Sequence, residues 1–403
     1  MVILDSRGSE TVEVTLQSGN ISVSVGAPSG KSRGAKEVAP FPENDARKSV
    51  QVFNTVLKQK LLGFDASDQR GVDELLKRVD GTPNFSRVGG NLAYAVSAAS
   101  ALLAARAQNI PPWEHIAKLS GLKPCYPLPL GNVLGGGAHA GMGAPDIQEF
   151  LVFPQRVANV VEAVKKNVET HKRLGGILLK KVGGYGGGRG DEGAYAPPLN
   201  DEAALEAVKE AAAETGMGLG LDVAASNLYS AELGKYFYKN RGVEKTVEEQ
   251  LEYIAGLVER FGLTYVEDPF HEEDFESHKR LCRMFPKLLV CGDDLVVTRA
   301  ELIREAARKG SVRAVILKPN QVGTLSDTVA AAVEAERNRI VRVVSHRSGE
   351  TCDGFLTHLA VGLGATFIKA GVLGGERVAK ANELVRIYSV HGESLPLAEV
   401  GVF

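Results

Sequence analysis

Six short apolar runs, each stopped by a charged residue, constrain this chain more than any other feature. Ala314-Val315-Ile316-Leu317 is continuous, β-branched and too short for a helix, so it reads as a strand buried on both faces. Lys318 stands at its carboxyl end, and Pro319 and Gly323 close it. Leu219-Gly220-Leu221 ends at Asp222, Thr264-Tyr265-Val266 at Glu267 and Asp268, and residues 288–292 at Asp293 and Asp294. Val341-Arg342-Val343-Val344-Ser345 ends at His346 and Arg347, and Ala365-Thr366-Phe367-Ile368 at Lys369. The steps from Asp222 to Glu267, Asp293, Lys318, His346 and Lys369 are 45, 26, 25, 28 and 23 residues. A unit of that size is one strand plus one helix. One such residue carries little weight, because an Asp after a strand most often caps a helix and a lysine is usually solvated. Six in register are the pattern of an α/β protein of the (β/α)8 TIM-barrel type with its site at the carboxyl-terminal face.

Upstream the pattern changes. Residues 10–26 alternate apolar and polar about Ser18-Gly19-Asn20, a β-hairpin with one solvated face. Residues 27–34 form a polar loop, either a mobile surface segment or a lid that brings Ser32 to a ligand. Helical patterns follow at about 43–61, 68–79 and 91–108, with a short one near 113–119. Prolines at 124, 127 and 129 mark the expected boundary between a smaller amino-terminal α+β domain, 1–125, and a barrel domain, 126–403. The second has 278 residues, against roughly 250 for the fold. From Leu130 the chain is glycine-rich, then 147–153 reads as a strand and 157–174 as an amphipathic helix. A second glycine-rich stretch covers 183–193, and neither matches a Walker or dinucleotide fingerprint. Thr246 to Glu249 and Thr298 to Glu301 both fit the capping box, Gly262 and Gly310 fit the matching C′ positions, and a last helix runs from 376 to about 391.

A formal net charge of −2 offers no electrostatic footprint for nucleic acid or an anionic membrane. No run of about 18 apolar residues occurs, which excludes a helical membrane span, and the amino terminus lacks the pattern of an export signal. The four cysteines, at 125, 282, 291 and 352, have no CxxC spacing and read as reduced core thiols of a cytoplasmic protein.

Asp222, Glu267 and Asp293 come from three consecutive strands with no nearby thiol or paired imidazole, a hard-oxygen set suited to Mg²⁺. In the doublets 267–268 and 293–294, alternation sends one side chain inward, and the first of each is expected there. Lys318 and Lys369 face these acids. Either is a base if neutral or a charge partner if not, and the residues alone leave the two readings level. His346-Arg347-Ser348 supplies donors for a phosphate. Metal, base and anion clamp together suit proton abstraction beside a carboxylate.

Asp5-Ser6-Arg7-Gly8, Gly190-Asp191-Glu192-Gly193, Glu267-Asp268-Pro269-Phe270, the segment 318–324 (KPNQVGT) and the segment 345–351 (SHRSGET) resemble the signature segments of enolase, of an archaeal or bacterial kind. They span nearly the whole chain in that family's order. The resemblance implies Mg²⁺-dependent, reversible dehydration of 2-phospho-D-glycerate to phosphoenolpyruvate, in glycolysis and gluconeogenesis. It implies that Lys318 is the base at carbon 2 and that Glu192 is the acid that assists departure of the hydroxyl, supported by Glu149, whose neighbouring carboxylate would raise the Glu192 pKa and keep that acid protonated. Asp222, Glu267 and Asp293 would hold the first of two Mg²⁺ ions, and Ser32 would help hold a second that arrives with substrate. Lys369 would pair with the substrate carboxylate, Arg347 and Ser348 with the phosphate, and His139, Gln148 and His346 would line the pocket. A homodimer or larger homo-oligomer is implied too.

The chain departs from that family at three places: PSGKSRG replaces the usual PSGASTG, Gly135-Gly136-Gly137 replaces NGG, and AGVLGGER shortens TGAPARSER. The rival readings are an aldolase-type barrel with Lys318 as a Schiff-base lysine, which leaves the three carboxylates unexplained, and a degenerate barrel kept as a binding or scaffold protein, supported only by the altered loops.

Overall fold

A computed structural model describes residues 1–31, 34–141 and 143–400. At the amino terminus, β1 (Val2–Leu4), β2 (Glu10–Ser18) and β3 (Ile21–Gly26) pair antiparallel, with Val2 opposite Val12 and Val14 opposite Val25. Alternation puts Val12, Val14, Val23 and Val25 on one buried face. The alanine-rich helix Gly90–Ala107 covers it, buried along nearly its whole length. The pattern at 43–61 becomes the helix Ala46–Val52, a π-helical turn and the helix Lys58–Leu61, and Gln69–Asp80 and Pro112–Ser120 complete this region.

In the rest of the chain, β4 (Leu128–Gly135), β5 (Glu149–Pro154) and β6 (Met217–Asp222) come first. A separate antiparallel sheet follows, β7 (Tyr229–Ser230), β8 (Lys235–Tyr238) and β9 (Val243–Lys245). This insertion explains the long step of 45 residues between Asp222 and Glu267. Then come β10 (Tyr265–Glu267), β11 (Leu289–Gly292), β12 (Ala314–Leu317), β13 (Val341–Ser345) and β14 (Phe367–Lys369). A closed eight-stranded barrel runs β10-β11-β12-β13-β14-β4-β5-β6. All neighbours are parallel except β5, which runs antiparallel to both β4 and β6. The β/α alternation is therefore broken once: among the described residues β4 connects to β5 through a 3₁₀ turn and no α-helix, and Val160–Lys181 and Asp201–Thr215 both lie between β5 and β6.

Several local expectations shift for identifiable reasons. The helix expected to end at 174 continues to Lys181, because Gly175 is a packing position: a Cβ there would lie 2.2 Å from the Tyr195 hydroxyl. The glycine-rich segment from Leu130 conceals β4. Gly136, just beyond it, is a close approach of two chain segments, since a Cβ would meet the carbonyl oxygens of Pro145 at 2.3 Å and Ile147 at 2.4 Å. The capping box at Thr246 is present, and Gly262 and Gly310 cap at φ 68° and 69°. The box at Thr298 is not: the helix Ala300–Lys309 starts after Arg299, and the Thr298 hydroxyl instead accepts from Lys318 N–H at 2.8 Å and donates to Gln321 Oε1 at 2.6 Å. Of the four thiols, Cys282 and Cys291 are buried and Cys125 is half-buried, but Cys352 is exposed and is not a core residue.

Candidate active site

Closing the barrel brings the charged strand ends to one mouth. Asp222 and Glu267 are register neighbours across β6 and β10, and Ser345 and Lys369 across β13 and β14. Lys369, 1% exposed, puts its ammonium 2.9 Å from Asp222, 2.9 Å from both Glu267 oxygens and 3.2 Å from Glu149. Burial works against that charge, yet Asp222, Glu149 and Glu267 raise the Lys369 pKa well above the ordinary lysine value. Lys318, directly after β12, is ion-paired with Asp293, directly after β11. Burial opposes the charge here too, and the Asp293 carboxylate raises it above its ordinary value. Both lysines are therefore ammonium ions. Burial and then the Asp222 charge push Glu267 up to about 8, and its Oε2 accepts from the Tyr265 hydroxyl at 2.8 Å.

The doublets do not divide into one inward and one outward member as expected: Glu267 and Asp293 meet the lysines, but Asp268 and Asp294 line the cleft too, because all but Glu267 lie past the strand ends, where alternation no longer holds. Asp268, at φ 40°, accepts the backbone N–H of Asp293 at 2.9 Å and Asp294 at 2.7 Å. Asp268 thereby ties one loop of the mouth to the next. Burial first, then the charges of Asp294 and Asp293, carry it well above the ordinary carboxyl range.

The reversed direction of β5 decides the other wall. Its first residue, Glu149, lies opposite Asp222, so the start of this strand joins the ends of its neighbours. His139, ending a 3₁₀ turn, stands 3.8 Å from Glu149 and 3.7 Å from Glu192 through Nδ1. Glu192 accepts from Asn132 Nδ2 at 3.1 Å and lies 3.5 Å from His346 Nε2. Its loop is fixed by Gly193, at φ 76°, where a Cβ would come within 1.9 Å of the Leu373 carbonyl. Burial and the Glu192 charge raise Glu149 well above the ordinary range. Burial raises Glu192 as well, but His139, His346 and Arg377 draw it well below. The ligand-free pair therefore keeps its proton on Glu149. This revises the expectation that Glu149 raises Glu192 into its acid form.

His346 and Arg347 are held by residues with no strand-end signature. Arg377, 1% exposed, donates to His346 Nδ1 and to the carbonyls of Arg347 at 2.7 Å and Ser348 at 2.6 Å. Burial holds His346 at about 3, so the ring is neutral and, with Nδ1 accepting, its proton sits on Nε2 toward Glu192. Arg347 donates to Glu37 through both terminal nitrogens, at 3.0 and 3.2 Å, and to Asn320 Oδ1 at 3.0 Å. Asp5-Ser6-Arg7-Gly8 braces the same segment, with Ser6 N–H on the Glu350 carbonyl at 2.9 Å. Glu37, Asn320, Gln321 and Arg377 were not singled out from sequence. The Glu-Arg pair that survives in the shortened AGVLGGER was the one available pointer to Arg377.

His139, Gln148, Glu149, Glu192, Asp222, Asp293, Lys318, His346, Arg347, Ser348 and Lys369 all line one cleft, and Glu267 lies beneath Lys369. Ser32 lies outside the described residues. The lining includes seven carboxylates and four permanent cations. Acids in excess of cations, buried and with Glu149, Asp268 and Asp294 raised by burial and by neighbouring carboxylates, form a hard-oxygen donor set that fits a divalent cation such as Mg²⁺. One oxygen from each of Asp268, Asp293 and Asp294 falls within 4.8 Å of the others. Asp268 is already committed to the two backbone N–H groups.

Two family models match the chain: the enolase C-terminal TIM barrel domain over residues 123–399 and the enolase N-terminal domain over 1–116. The enolase of Methanosphaera stadtmanae is 45% identical over 393 residues, covering 96% of this chain and 94% of that protein. That of Methanothermobacter thermautotrophicus is 44% identical over 392 residues, again 96% and 94%. The enolase of Pyrobaculum aerophilum is 42% identical over 412 residues, 99% of this chain and 97% of its own. With both domain models matched in order and such identities along nearly the full length, the chain belongs to the enolase family.

Proposed function

We propose that this chain is a phosphopyruvate hydratase, a lyase that reversibly dehydrates 2-phospho-D-glycerate to phosphoenolpyruvate in glycolysis and gluconeogenesis. The observation that carries the reading is one cleft lined by a lysine and a carboxylate pair of opposite proton duty, with an acid-rich floor between them.

Lys318 removes the proton at carbon 2, and Glu192 gives a proton to the hydroxyl leaving carbon 3, so one proton is taken, one is returned and water departs. For this Lys318 must first be neutral. Its ammonium form is held by Asp293, while Arg347 and Lys369 push the other way, so engagement of the Asp293 carboxylate elsewhere releases it. Glu149 stores the proton of the acid pair, within 4.8 Å of Glu192, and passes it to Glu192 when the cleft fills. Lys369 binds the substrate carboxylate, Arg347 and Ser348 bind the phosphate, and His139, Gln148 and His346 shape the pocket. Asp222, Glu267 and Asp293 would hold one Mg²⁺ and Ser32 would help hold another; bound Mg²⁺ supplies concentrated positive charge beside the weakly acidic carbon.

Residues 1–125 cap the site and 126–403 form the catalytic barrel. The unpaired thiols and phosphorylated substrate support a cytoplasmic location, and the family resemblance supports a homodimer, which sedimentation would test. Among the described residues no helix is long and apolar enough to cross a membrane.

The test is growth of the enol ultraviolet absorbance when protein is mixed with 2-phosphoglycerate and Mg²⁺. Turnover abolished by chelator and by Lys318→Ala is the expected result. A folded protein that gives no absorbance change with Mg²⁺ would overturn the reading and revive the scaffold alternative.

A further inference from the structure

We propose that Lys31 is a further cationic contact for the substrate phosphate, exchanging Asp191 for it when substrate enters. This rests on the function proposed above.

The backbone of Lys31 is fixed beside the expected phosphate group of residues. Its N–H donates to Ser348 Oγ at 2.8 Å. Two residues earlier, Ser29 and Gly349 exchange backbone hydrogen bonds at 2.7 and 2.8 Å. The side chain lines the same cleft as His346, Arg347 and Ser348.

The four permanent cations of that cleft differ in what holds them. Lys318 and Lys369 are engaged by buried acids, and Arg347 is forked onto buried Glu37. Lys31 pairs with Asp191 at 2.9 Å, with side-chain exposures of 37% and 27%. A pair so exposed is weak and readily exchanged, and the long flexible lysine stem can swing its ammonium inward. Asp191 is absent from the cleft lining, and Arg7 lies 3.6 Å from it. When Lys31 leaves, Arg7 remains as a partner, so the exchange strands no carboxylate. A phosphate dianion offers three acceptor oxygens, and Arg347 already donates to Glu37 and Asn320, so a further cation beside Ser348 has acceptors to meet. The enolase loop usually reads PSGASTG, so a lysine at this position is this chain's own addition.

The two readings of Lys31, phosphate contact or latch onto the Glu192 loop, predict opposite signs for one substitution. Calorimetric titration of the protein with inorganic phosphate, Mg²⁺ present, is compared with KM for 2-phosphoglycerate. Lys31→Ala is expected to raise the phosphate Kd and the KM by about five- to tenfold, with kcat changed less. Asp191→Asn, which releases the lysine, is expected to lower the phosphate Kd by about two- to threefold. Lys31→Arg should recover most of the affinity. If Lys31 serves only as a latch, Asp191→Asn weakens phosphate binding as Lys31→Ala does, and that outcome, or an unchanged Kd for Lys31→Ala, overturns the proposal. If phosphate affinities move as stated while 2-phosphoglycerate is not turned over, the proposed function falls and this contact stands.

Discussion

The two halves of the barrel reach one cleft by different routes. From β10 to β14 the chain repeats strand and helix in steps of 23 to 28 residues, and every functional side chain stands at or just past a strand end. From β4 to β6 the one reversed strand delivers Glu149 from its beginning, and loops deliver His139 and Glu192. A repeated unit advertises its site by period, whereas an irregular one must fix its loops with single close contacts such as those at Gly136 and Gly193.

The largest expected effect tests whether both halves do chemistry. Lys318→Ala and Glu192→Gln should each lower kcat by about 10²- to 10⁴-fold. Glu149→Gln should cost nearly as much as Glu192→Gln, because glutamine imitates the neutral acid in shape but has no proton to pass to Glu192. Single-turnover absorbance measurements compare them. A Glu149→Gln protein that turned over nearly as the unsubstituted one does would break the assignment of storage to one and donation to the other.

That contrast also marks how far the sequence was readable. The strands ending at Asp222, Glu267, Asp293, Lys318 and Lys369 were legible because each is apolar on both faces and stops at charge, and the cleft assembled from them follows from barrel closure alone. Alternation did not divide the doublets, because past the strand ends it no longer applies and Asp268 and Asp294 reach the cleft as well. Glu149, Glu192 and His139 gave no periodic signal and came only through family resemblance. β4 was hidden because glycine lowers strand propensity while tertiary packing demands it. Glu37 and Arg377 were invisible because an arginine that braces carbonyls and a glutamate on a loop look like any solvated charge until the chain is folded.

A medium effect separates the halves by acid. Burial holds His171, whose Nε2 meets the Gly193 carbonyl at 3.0 Å, down at about 4, and holds His278 of the regular half at about 4 too. Unfolded, each takes its proton near the ordinary value of 6.5. The unfolded chain therefore gains protons first as pH falls, and stability is lost between about 6.5 and 4, by roughly 3 kcal/mol per histidine at most. Denaturant titrations along that range should show a flatter profile for His171→Gln and for His278→Gln. Turnover at neutral pH should fall only for His171→Gln, since Gly193 adjoins Glu192 and the His278 ring bonds within its own helix, to the Asp274 carbonyl. Equal falls would mean that the Glu192 loop does not depend on this brace.

The smallest effects come from two threonines in the same sequence context, Thr-x-x-Glu. Thr298 sits in the left-handed region at φ 59°, directly after Val297 at 39°, and its buried hydroxyl links the Lys318 backbone to Gln321, which in turn donates to Asp293 Oδ1 at 3.0 Å. Such a conformation for two β-branched residues persists only where the surroundings impose it. Thr298→Ala should cost about 1–3 kcal/mol and also lower kcat, because Lys318, proposed as the base, and Asp293, paired with it, both lose a fixed neighbour. Thr298→Ser, which keeps the hydroxyl, should restore most of both. Thr246 closes a true capping box with Glu249 on an exposed helix start, and Thr246→Ala should cost about 1 kcal/mol with turnover unchanged. Thermal melts and steady-state kinetics on the three variants read both quantities. If Thr298→Ala lost stability alone, its hydroxyl would be an ordinary buried hydrogen bond and the strained turn would have no part in positioning Lys318. The two motifs are equivalent in sequence, and only their surroundings make one a cap and the other a support for the Lys318 backbone.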